Sequence, residues 1–230
     1  MRVLGIDTSS LLGGVAILEN ETLLAESRLN VAVAHSERLM GEMDRMLRHS
    51  DLTVKDIDVF AVAVGPGSFT GLRVGLSTVK GLVYATGRPM VAVPTLEALA
   101  WNVPFCRYQV CPLLDARKGE VYAGLFKWTK GGFERIMEER ALRIGDLLVE
   151  IKEETLFLGE GALLCGTQIT GALGSRAYYA PGIRMVPSAS NVAFLGMARA
   201  LNEEFADPAS TTPLYLRRSE AEKTGEAGLR

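Results

Sequence analysis

The sequence predicts an α/β protein of two lobes, each with a mixed sheet that opens on three antiparallel strands. Three strand-like segments separated by turn residues begin the chain, and a second set of three follows the change of pattern after Pro104. Between them, the path from a strand at 57–64 through a helix to a strand at 90–93 is a parallel crossover, which is typical of layered α/β folds. No repeat of residues relates the two sets, so the duplication is inferred from element order alone.

In the first lobe, predicted as residues 1–103, the element order is β-β-β-α-β-α-β-α. Apolar or alternating segments bounded by turns predict its strands at 3–6, 15–18, 23–27, 57–64 and 90–93. The apolar residues of the first helix recur at positions i, i+1, i+4, i+7 and i+8, which form one stripe along a helix. The helices are predicted at 36–49, 72–85 and 96–101.

The second lobe is predicted as residues 104–206. Its first two strands are joined by a glycine-containing hairpin loop. Its elements are strands at 109–114, 120–128 and 133–136, a helix at 146–150, a strand at 156–158, a glycine-rich segment at 159–175 and a helix at 190–202. We expect the tail, 207–230, to be partly disordered, because it is charged, and to pack in part against the first lobe.

Composition favours an ordinary globular protein of the cytoplasm. Of the 230 residues, 48% are hydrophobic and 23% are charged, and the net charge of −2 argues against a strongly basic nucleic-acid-binding surface. Three cysteines without a Cys-x-x-Cys pair favour reduced thiols over a disulfide framework. The N-terminus shows no signal-peptide pattern, and no apolar run reaches the roughly 20 residues that a membrane-spanning helix needs.

A glycine-rich motif is the most informative segment of the chain. Residues 65–75 read Gly-Pro-Gly-Ser-Phe-Thr-Gly-Leu-Arg-Val-Gly, between a predicted strand and a predicted helix. Glycines allow positive φ angles and close approach of the backbone, and a helix start presents unpaired N–H groups that attract anions. The motif therefore predicts either a phosphate-binding loop or a contact surface.

Five motifs in chain order resemble those of the TsaB family, also called YeaZ. They are Asp7-Thr-Ser-Ser, His35-Ser-Glu, the glycine-rich motif, Leu114-Asp-Ala-Arg with Glu120-Val-Tyr, and Pro213-Leu-Tyr-Leu-Arg. The resemblance covers nearly the whole chain, and the glycine-rich motif is highly specific. It implies a two-lobed fold like that of actin, Hsp70 and the sugar kinases (ribonuclease H-like), in agreement with the element order.

The resemblance also implies a role in tRNA modification. TsaB is the bacterial subunit that pairs with its catalytic paralogue TsaD, joined by the ATPase TsaE, to form N6-threonylcarbamoyladenosine beside the anticodon. Members self-associate, so a homodimer is implied for the protein alone. The implied role is that of a noncatalytic scaffold or activating subunit that meets tRNA only through the complex. It has no cofactor of its own, and ATP and a metal ion are held mainly by the partners.

Two loops are candidates for a degenerate nucleotide cleft. In relatives with this fold the turn after the first strand binds phosphate, through hydroxyls, backbone N–H groups and an acid that holds a metal-bound water. The alternative is a turn whose side chains bond the local backbone, with an ordinary ion pair in the second loop. The candidate cleft residues are Asp7, Thr8, Ser9, Ser10, Gly65, Gly67, Ser68, Asp115 and Arg117.

Two helices are candidates for a partner surface. Small residues recur along the second helix, where each interior glycine costs about 0.5–1 kcal/mol against alanine, so a close neighbour is expected. That neighbour is either the chain's own sheet or another subunit, and the methionines of the first helix suit either a core or an adaptable interface. The resemblance favours an interface that includes Leu39, Met43, Met46, Gly71, Arg73, Gly75, Thr78 and Leu82.

No catalytic or metal-binding residue is predicted. The two histidines, His35 and His49, are fourteen residues apart, whereas a helical zinc pair needs a spacing of four, and His35 is expected to cap or pack at a helix start. The chain lacks the His-x-x-x-His motif of TsaD and also His-Glu-x-x-His, which argues against a metallopeptidase. The competing hypothesis is an ATPase or phosphotransferase that uses the loops at Asp7 and Asp115.

Overall fold

Two five-stranded mixed sheets carry the fold in a computed structural model of the chain. The structure describes residues 1–30 and 35–216, and the side chains of 29, 30 and 35–37 are outside that description. The predicted role of the His35 side chain, and the tail from Arg217 onward, therefore lie outside the described residues.

The first sheet is built around two central strands of buried apolar residues. Its strands are β1 (Arg2–Asp7), β2 (Leu12–Glu19), β3 (Thr22–Asn30), β4 (Val59–Gly65) and β5 (Met90–Pro94). In the order β3-β2-β1-β4-β5, the first three strands pair antiparallel, while β4 runs parallel to both β1 and β5. The three opening strands and the parallel crossover are thus confirmed.

Three helices lie in this part of the chain: α1 (His35–His49), α2 (Phe69–Thr86) and α3 (Thr95–Ala100). The buried Leu96 and Leu99 of α3 pack in a core of the second sheet. The Ser68 hydroxyl caps the start of α2, and Gly87 ends it with a left-handed φ of 70°. The apolar sides of α1 and α2 pack on one face of the sheet, where they share a core with Ile17 and Phe60.

The second sheet also opens on three antiparallel strands, as predicted. Its order is β10-β9-β6-β7-β8, with β9 parallel to both β6 and β10. The strands are β6 (Gln109–Arg117), β7 (Glu120–Thr129), β8 (Gly132–Arg143), β9 (Thr155–Leu158) and β10 (Ala177–Tyr179). The helices are α4 (Ile144–Glu150), α5 (Glu160–Leu164) and α6 (Gly166–Leu173), and single 3-10 turns lie at Gly174–Arg176 and Gly182–Arg184. A further 3-10 turn, Val54–Asp56, precedes β4 of the first sheet. The glycine-rich segment thus forms two short helices, and β10 was not predicted.

The last helix, α7 (Ala189–Leu201), corrects the predicted domain organisation. It packs on the first sheet, opposite α1 and α2, in a core shared with Val3 and Ala61. The contact is close, because a Cβ on Gly196 would collide with the Cβ of Ala61. The prediction that residues 104–206 form one lobe is therefore wrong for α7.

The segment after α7 also returns to the first sheet. Ala206 forms an isolated bridge with Met90, and the Leu214 amide donates to the Val64 carbonyl oxygen at 2.7 Å. The expected packing of the tail on the first lobe is therefore found as far as residue 216. No helix of the described part has the length and apolar composition needed to cross a bilayer.

Candidate functional site

The loop between β1 and β2 is closed by its own hydrogen bonds. Asp7 Oδ1 accepts from the Ser9 amide at 2.8 Å and from the Ser9 hydroxyl at 2.6 Å. The Ser10 hydroxyl donates to the Leu12 carbonyl oxygen at 2.9 Å. These donors and acceptors bind the local backbone, as in the turn interpretation of this motif.

Asp7 itself is buried with one carboxylate oxygen unsatisfied. Only 1% of the residue is exposed, and Oδ2 has no hydrogen-bond partner within the described residues. Desolvation raises the pKa of Asp7, although the two bonds from Ser9 act in the opposite direction. Burial therefore disfavours the ionised carboxylate that holding a metal-bound water would require.

The glycine-rich motif packs against this loop. The Thr8 hydroxyl donates to the Gly71 carbonyl oxygen at 2.7 Å. A Cβ on Gly71 would collide with the Thr8 carbonyl oxygen, one on Gly75 with the Thr8 hydroxyl, and one on Gly67 with the Ser9 carbonyl oxygen. The three glycines therefore permit the approach of a segment of the same chain.

The start of α2 is occupied by the same loop. The Ser68 amide donates to the Ser9 carbonyl oxygen at 2.6 Å, and the Gly71 amide donates to the Ser68 hydroxyl at 3.3 Å. On the other side, a Cβ on Gly65, whose φ is +121°, would lie 2.8 Å from the Leu214 carbonyl oxygen. The Ser68 amide is thus bonded to backbone and the Gly71 amide to the Ser68 side chain, so neither N–H group is left unpaired for a phosphate.

The second candidate loop is a hairpin turn in which Asp115 bonds Arg117. Asp115 Oδ1 accepts from the Arg117 amide at 2.7 Å, and Asp115 Oδ2 lies 3.1 Å from Arg117 Nη1. The Arg117 side chain is 80% exposed, and its φ of 64° is left-handed. The aspartate therefore stabilises a strained turn, and the ion pair is of the exposed kind that contributes about 0–1 kcal/mol.

A cleft of about 250 Å³ lies between the two sheets, beside these loops. Its described lining is mainly apolar and includes one charged residue, Glu160. Of the residues predicted to form the nucleotide cleft, Ser10 lies in this lining. Asp7, Asp115 and Arg117 are not among the described lining residues, which are Ser10, Leu11, Leu12, Leu114, Glu160, Leu163, Met185, Val186 and Pro187. The cleft thus offers a phosphate no cation from the described residues, and no three described His, Cys, Asp or Glu side chains group as a metal site.

The structure moves most of the predicted partner surface into the interior. Leu39, Met43 and Met46 are buried in the core between α1, α2 and the first sheet. Gly71 and Gly75 face Thr8, as described above. For these five residues the prediction of a surface role is wrong, because the apolar stripe of α1 and the small stripe of α2 both serve internal packing.

Of the remaining three, Arg73 is exposed, Thr78 is half-buried and Leu82 packs in part against the core. Arg73 belongs to a small cluster with two aromatic residues. Its guanidinium lies 3.8 Å from the centre of the Phe69 ring, and its Nε donates to the Tyr215 hydroxyl at 3.0 Å. The Tyr215 ring lies 5.1 Å from that of Phe69, so the C-terminal segment is held on the outer side of α2.

The outward faces of α1 and α2 carry exposed apolar residues that sequence reasoning missed. Tyr84 is 69% exposed and Met40 is 46% exposed. A Cβ added to Gly41 of α1 or Gly81 of α2 would meet no atom of the described residues within 4 Å. The available signal was the second pair of small residues on α2, Ser77 and Gly81, which lies away from the Gly71–Gly75 face. We call Met40, Gly41, Ser77, Gly81 and Tyr84 the outer surface of α1 and α2.

Comparisons with known proteins settle the family. A family model described as TsaD, tRNA N6-adenosine threonylcarbamoyltransferase, matches residues 29–224. The tRNA threonylcarbamoyladenosine biosynthesis protein TsaB of Bacillus subtilis is 35% identical over 225 residues, which cover 96% of each chain. The chain belongs to the TsaB family. The resemblance drawn from the motifs is thereby confirmed.

Solved structures confirm the two-lobed, actin-like fold class. YeaZ from Pseudomonas aeruginosa superposes with a TM-score of 0.81 at 23% identity, over 93% of this chain and 99% of that one. The activator of 2-hydroxyisocaproyl-CoA dehydratase from Clostridium difficile, solved with bound ADPNP, superposes with a TM-score of 0.52 at 12% identity. That alignment covers 89% of this chain and 97% of the activator. TsaB proteins thus share their architecture with a protein that binds a nucleotide.

Proposed function

We propose that this TsaB-family protein is a noncatalytic scaffold or activating subunit of the complex that forms N6-threonylcarbamoyladenosine in tRNA. The observation that carries the proposal is the closed phosphate loop, in which Asp7 bonds Ser9 and Thr8 is held against Gly71. The pathway comes from the family, since the Bacillus subtilis relative is named as a biosynthesis protein of this modification. A subunit whose own loop is closed is suited to support the active site of a partner.

The proposed partners are TsaD, which performs the transfer, and the ATPase TsaE. In this arrangement ATP and the metal ion are held mainly by the partners, and tRNA is bound through the assembled complex in the cytoplasm. We propose the outer surface of α1 and α2 as the docking face, because Tyr84 and Met40 are exposed there and Gly41 and Gly81 leave open space. The same face would serve a homodimer when the protein is alone.

A calorimetric titration with ATP and Mg²⁺ tests the noncatalytic role. We expect no stoichiometric heat from the isolated chain, because the N–H groups at Ser68 and Gly71 are already bonded within the protein. Stoichiometric binding that is lost in Asp7→Asn would instead favour the ATPase or phosphotransferase alternative, which the ADPNP-bound structural neighbour keeps in view. Arg117→Gln tests the second loop in the same way.

Reconstitution of the modification tests the role in the complex. TsaD, TsaE, substrate tRNA and the threonylcarbamoyl adenylate donor are combined with and without this protein, and modified adenosine is measured by mass spectrometry. We expect the modification to require this protein, and to proceed at the normal level with Asp7→Asn, because its carboxylate performs no chemistry in the proposal. Unchanged modification without the protein would overturn the proposed function.

A further inference from the structure

A buried carboxyl group lies where the two lobes meet. The Glu139 side chain on β8 is 3% exposed, and neither carboxylate oxygen has a hydrogen-bond partner within the described residues. An isolated buried carboxylate is unstable, so such a group finds a cation or becomes neutral. Desolvation raises the pKa of Glu139 to about 7, although Arg135 and Arg199 lower this pKa and Glu97 and Glu138 raise it. The group therefore changes charge near neutral pH.

Arg135 stands between this carboxyl and a second one. Its Nη2 atom is 3.6 Å from Glu139 Oε1 and 3.8 Å from Oε2 of Glu97 on α3. Both separations exceed hydrogen-bond length, so the guanidinium is shared between two acids and fully bonded to neither. Its other nitrogen, Nη1, lies 3.1 Å from the exposed Glu138.

Glu97 is anchored to the first lobe. Its Oε2 accepts from Nη2 of Arg199 at 2.7 Å, and Nη1 of Arg199 donates to the Ala92 carbonyl oxygen at 2.6 Å. Arg199 lies on α7 and Ala92 on β5, and both elements belong to the core of the first sheet. Leu96 and Leu99 of α3 pack in a core of the second sheet, so the approach of Arg135 to Glu97 ties β8 to the first sheet through the Glu97–Arg199 pair. The approach of Arg135 to Glu139 lies within β8.

We propose that Glu139 is a pH-dependent switch for the contact between the two lobes. When Glu139 is neutral, Arg135 is free to pair with Glu97, and β8 is bridged to α3. When Glu139 is ionised, it competes for Arg135 and the bridge weakens.

Among the described residues, four charged groups interact electrostatically with Glu139. Arg135 and Glu138 lie on its own strand, Glu97 approaches from α3 and Arg199 from α7. The adjacent strand β7 contributes the uncharged Gly124, on which a Cβ would lie 3.3 Å from the Glu139 Cγ. Of these groups, Arg135 lies between the carboxyl groups of Glu139 and Glu97, so the charge of Glu139 decides which of the two carboxyl groups Arg135 pairs with.

The tryptophans of the chain are intrinsic fluorescent probes of the contact between the two lobes. Both of its tryptophans, Trp101 after α3 and Trp128 on β7, lie there, with ring centres 5.3 Å apart. Trp101 also contacts Phe133 of the second lobe at 6.0 Å and Phe194 of α7 at 4.9 Å. A change in the contact between the lobes should therefore alter the tryptophan emission.

The first test follows tryptophan fluorescence of the full chain between about pH 5.5 and 8.5, a range that spans the charge change of Glu139 and excludes ordinary carboxylates. We expect one transition near pH 7, lost in Glu139→Gln and retained in Glu138→Gln, the exposed neighbour. The same transition in Glu139→Gln, or no transition in the native chain, would overturn the proposal.

The second test asks whether the bridge itself responds to pH. A double-mutant cycle with Glu97→Gln and Arg135→Gln measures their coupling from urea unfolding at pH 6 and pH 8. We expect a coupling of about two- to fivefold in the unfolding equilibrium constant at pH 6, and a clearly smaller one at pH 8. In the Glu139→Gln background the coupling should be the same at both pH values. Equal coupling at pH 6 and pH 8 in the native background would contradict the switch, even if fluorescence changes.

Linkage fixes the sign of the accompanying stability change. Because folding raises the pKa of Glu139, its contribution to stability is complete below the ordinary glutamate pKa. That contribution is lost as the pH rises through about 7. Glu139→Gln should therefore be less sensitive to pH in this window than the native chain.

Discussion

Helix α2 carries small residues on two sides, and they meet different surroundings. On the inner side, Gly71 and Gly75 lie so close to Thr8 that neither has room for a side chain. On the outer side, Ser77 is exposed and Gly81 has open space around it. The inner side is needed to build the lobe, whereas no described residue packs against the outer side at Gly81.

The difference shows why spacing alone misplaced the interface. Glycines at positions i and i+4 indicate that another group approaches the helix closely, but they do not indicate which group it is. Thr8 is the approaching group on the inner side, and it comes from a turn more than sixty residues earlier in the chain. Among the described residues the outer pair, Ser77 and Gly81, has no such neighbour, which is why this side is proposed as the docking face.

Gly75→Leu should give the largest effect on the inner side. A leucine there would displace the Thr8 hydroxyl and the loop behind it, so we expect a loss of about 3 kcal/mol or more in the free energy of unfolding. Urea unfolding followed by circular dichroism measures this change. Normal stability would show that the loop adapts and that the inner face is not fixed.

Gly71→Ala is the milder test of the same contact. One methyl group would press on the Thr8 carbonyl oxygen, and we expect a loss of about 1–3 kcal/mol despite the better helix propensity of alanine. Gly41→Ala, at an open position on α1, is the matched control, and it should gain about 0.5–1 kcal/mol. If both variants gain stability, Gly71 is not constrained by Thr8.

Gly81→Arg should separate association from folding on the outer side. The isolated chain should keep its stability or gain about 0.5–1 kcal/mol, since the site is open and arginine favours helix more than glycine does. We expect the substitution to abolish both self-association and binding to TsaD, measured by light scattering and calorimetry. Unchanged binding by a folded Gly81→Arg chain would exclude this face as the docking surface.

Tyr215→Phe should give the smallest effect. It removes the bond from Arg73 and leaves the ring on Phe69, so we expect a loss of about 0.5 kcal/mol or less, because the contact is exposed. Hydrogen exchange of the Leu214 amide is the sensitive measurement, since it reports whether the segment remains on β4. A global loss of stability would show that this cluster contributes to the core of the lobe.

Local patterns predicted the elements well, because each depends on residues close in sequence. The apolar run before Gly65 predicts a buried strand, and the stripe through Leu39 and Met43 predicts the amphipathic helix that the structure shows. The same stripe could not distinguish the core from a partner surface, since both bury apolar side chains. The order of the elements predicted the two-lobed α/β class, and the family motifs added the likeness to actin and the pathway.

Features that depend on distant contacts were not predictable in this way. Helix α7 is apolar enough to pack on either sheet, and only the fit of Gly196 against Ala61 shows which one it covers. Glu139 stands in a charged stretch of β8 that reads as a solvated edge, and its burial follows from neighbours on α3 and α7. Such placement arises from tertiary packing, which a periodic pattern does not encode.

The return of α7 to the first sheet has a consequence for synthesis of the protein. The inner strands of that sheet, β1 and β4, precede the whole second sheet in the chain, whereas the helix that covers one of their faces follows it and is synthesised after it. Contacts between such distant segments close slowly, and an uncovered apolar sheet is prone to aggregate. One face of the first sheet therefore stays uncovered until the second lobe has been synthesised, so the order of translation couples the folding of the two lobes.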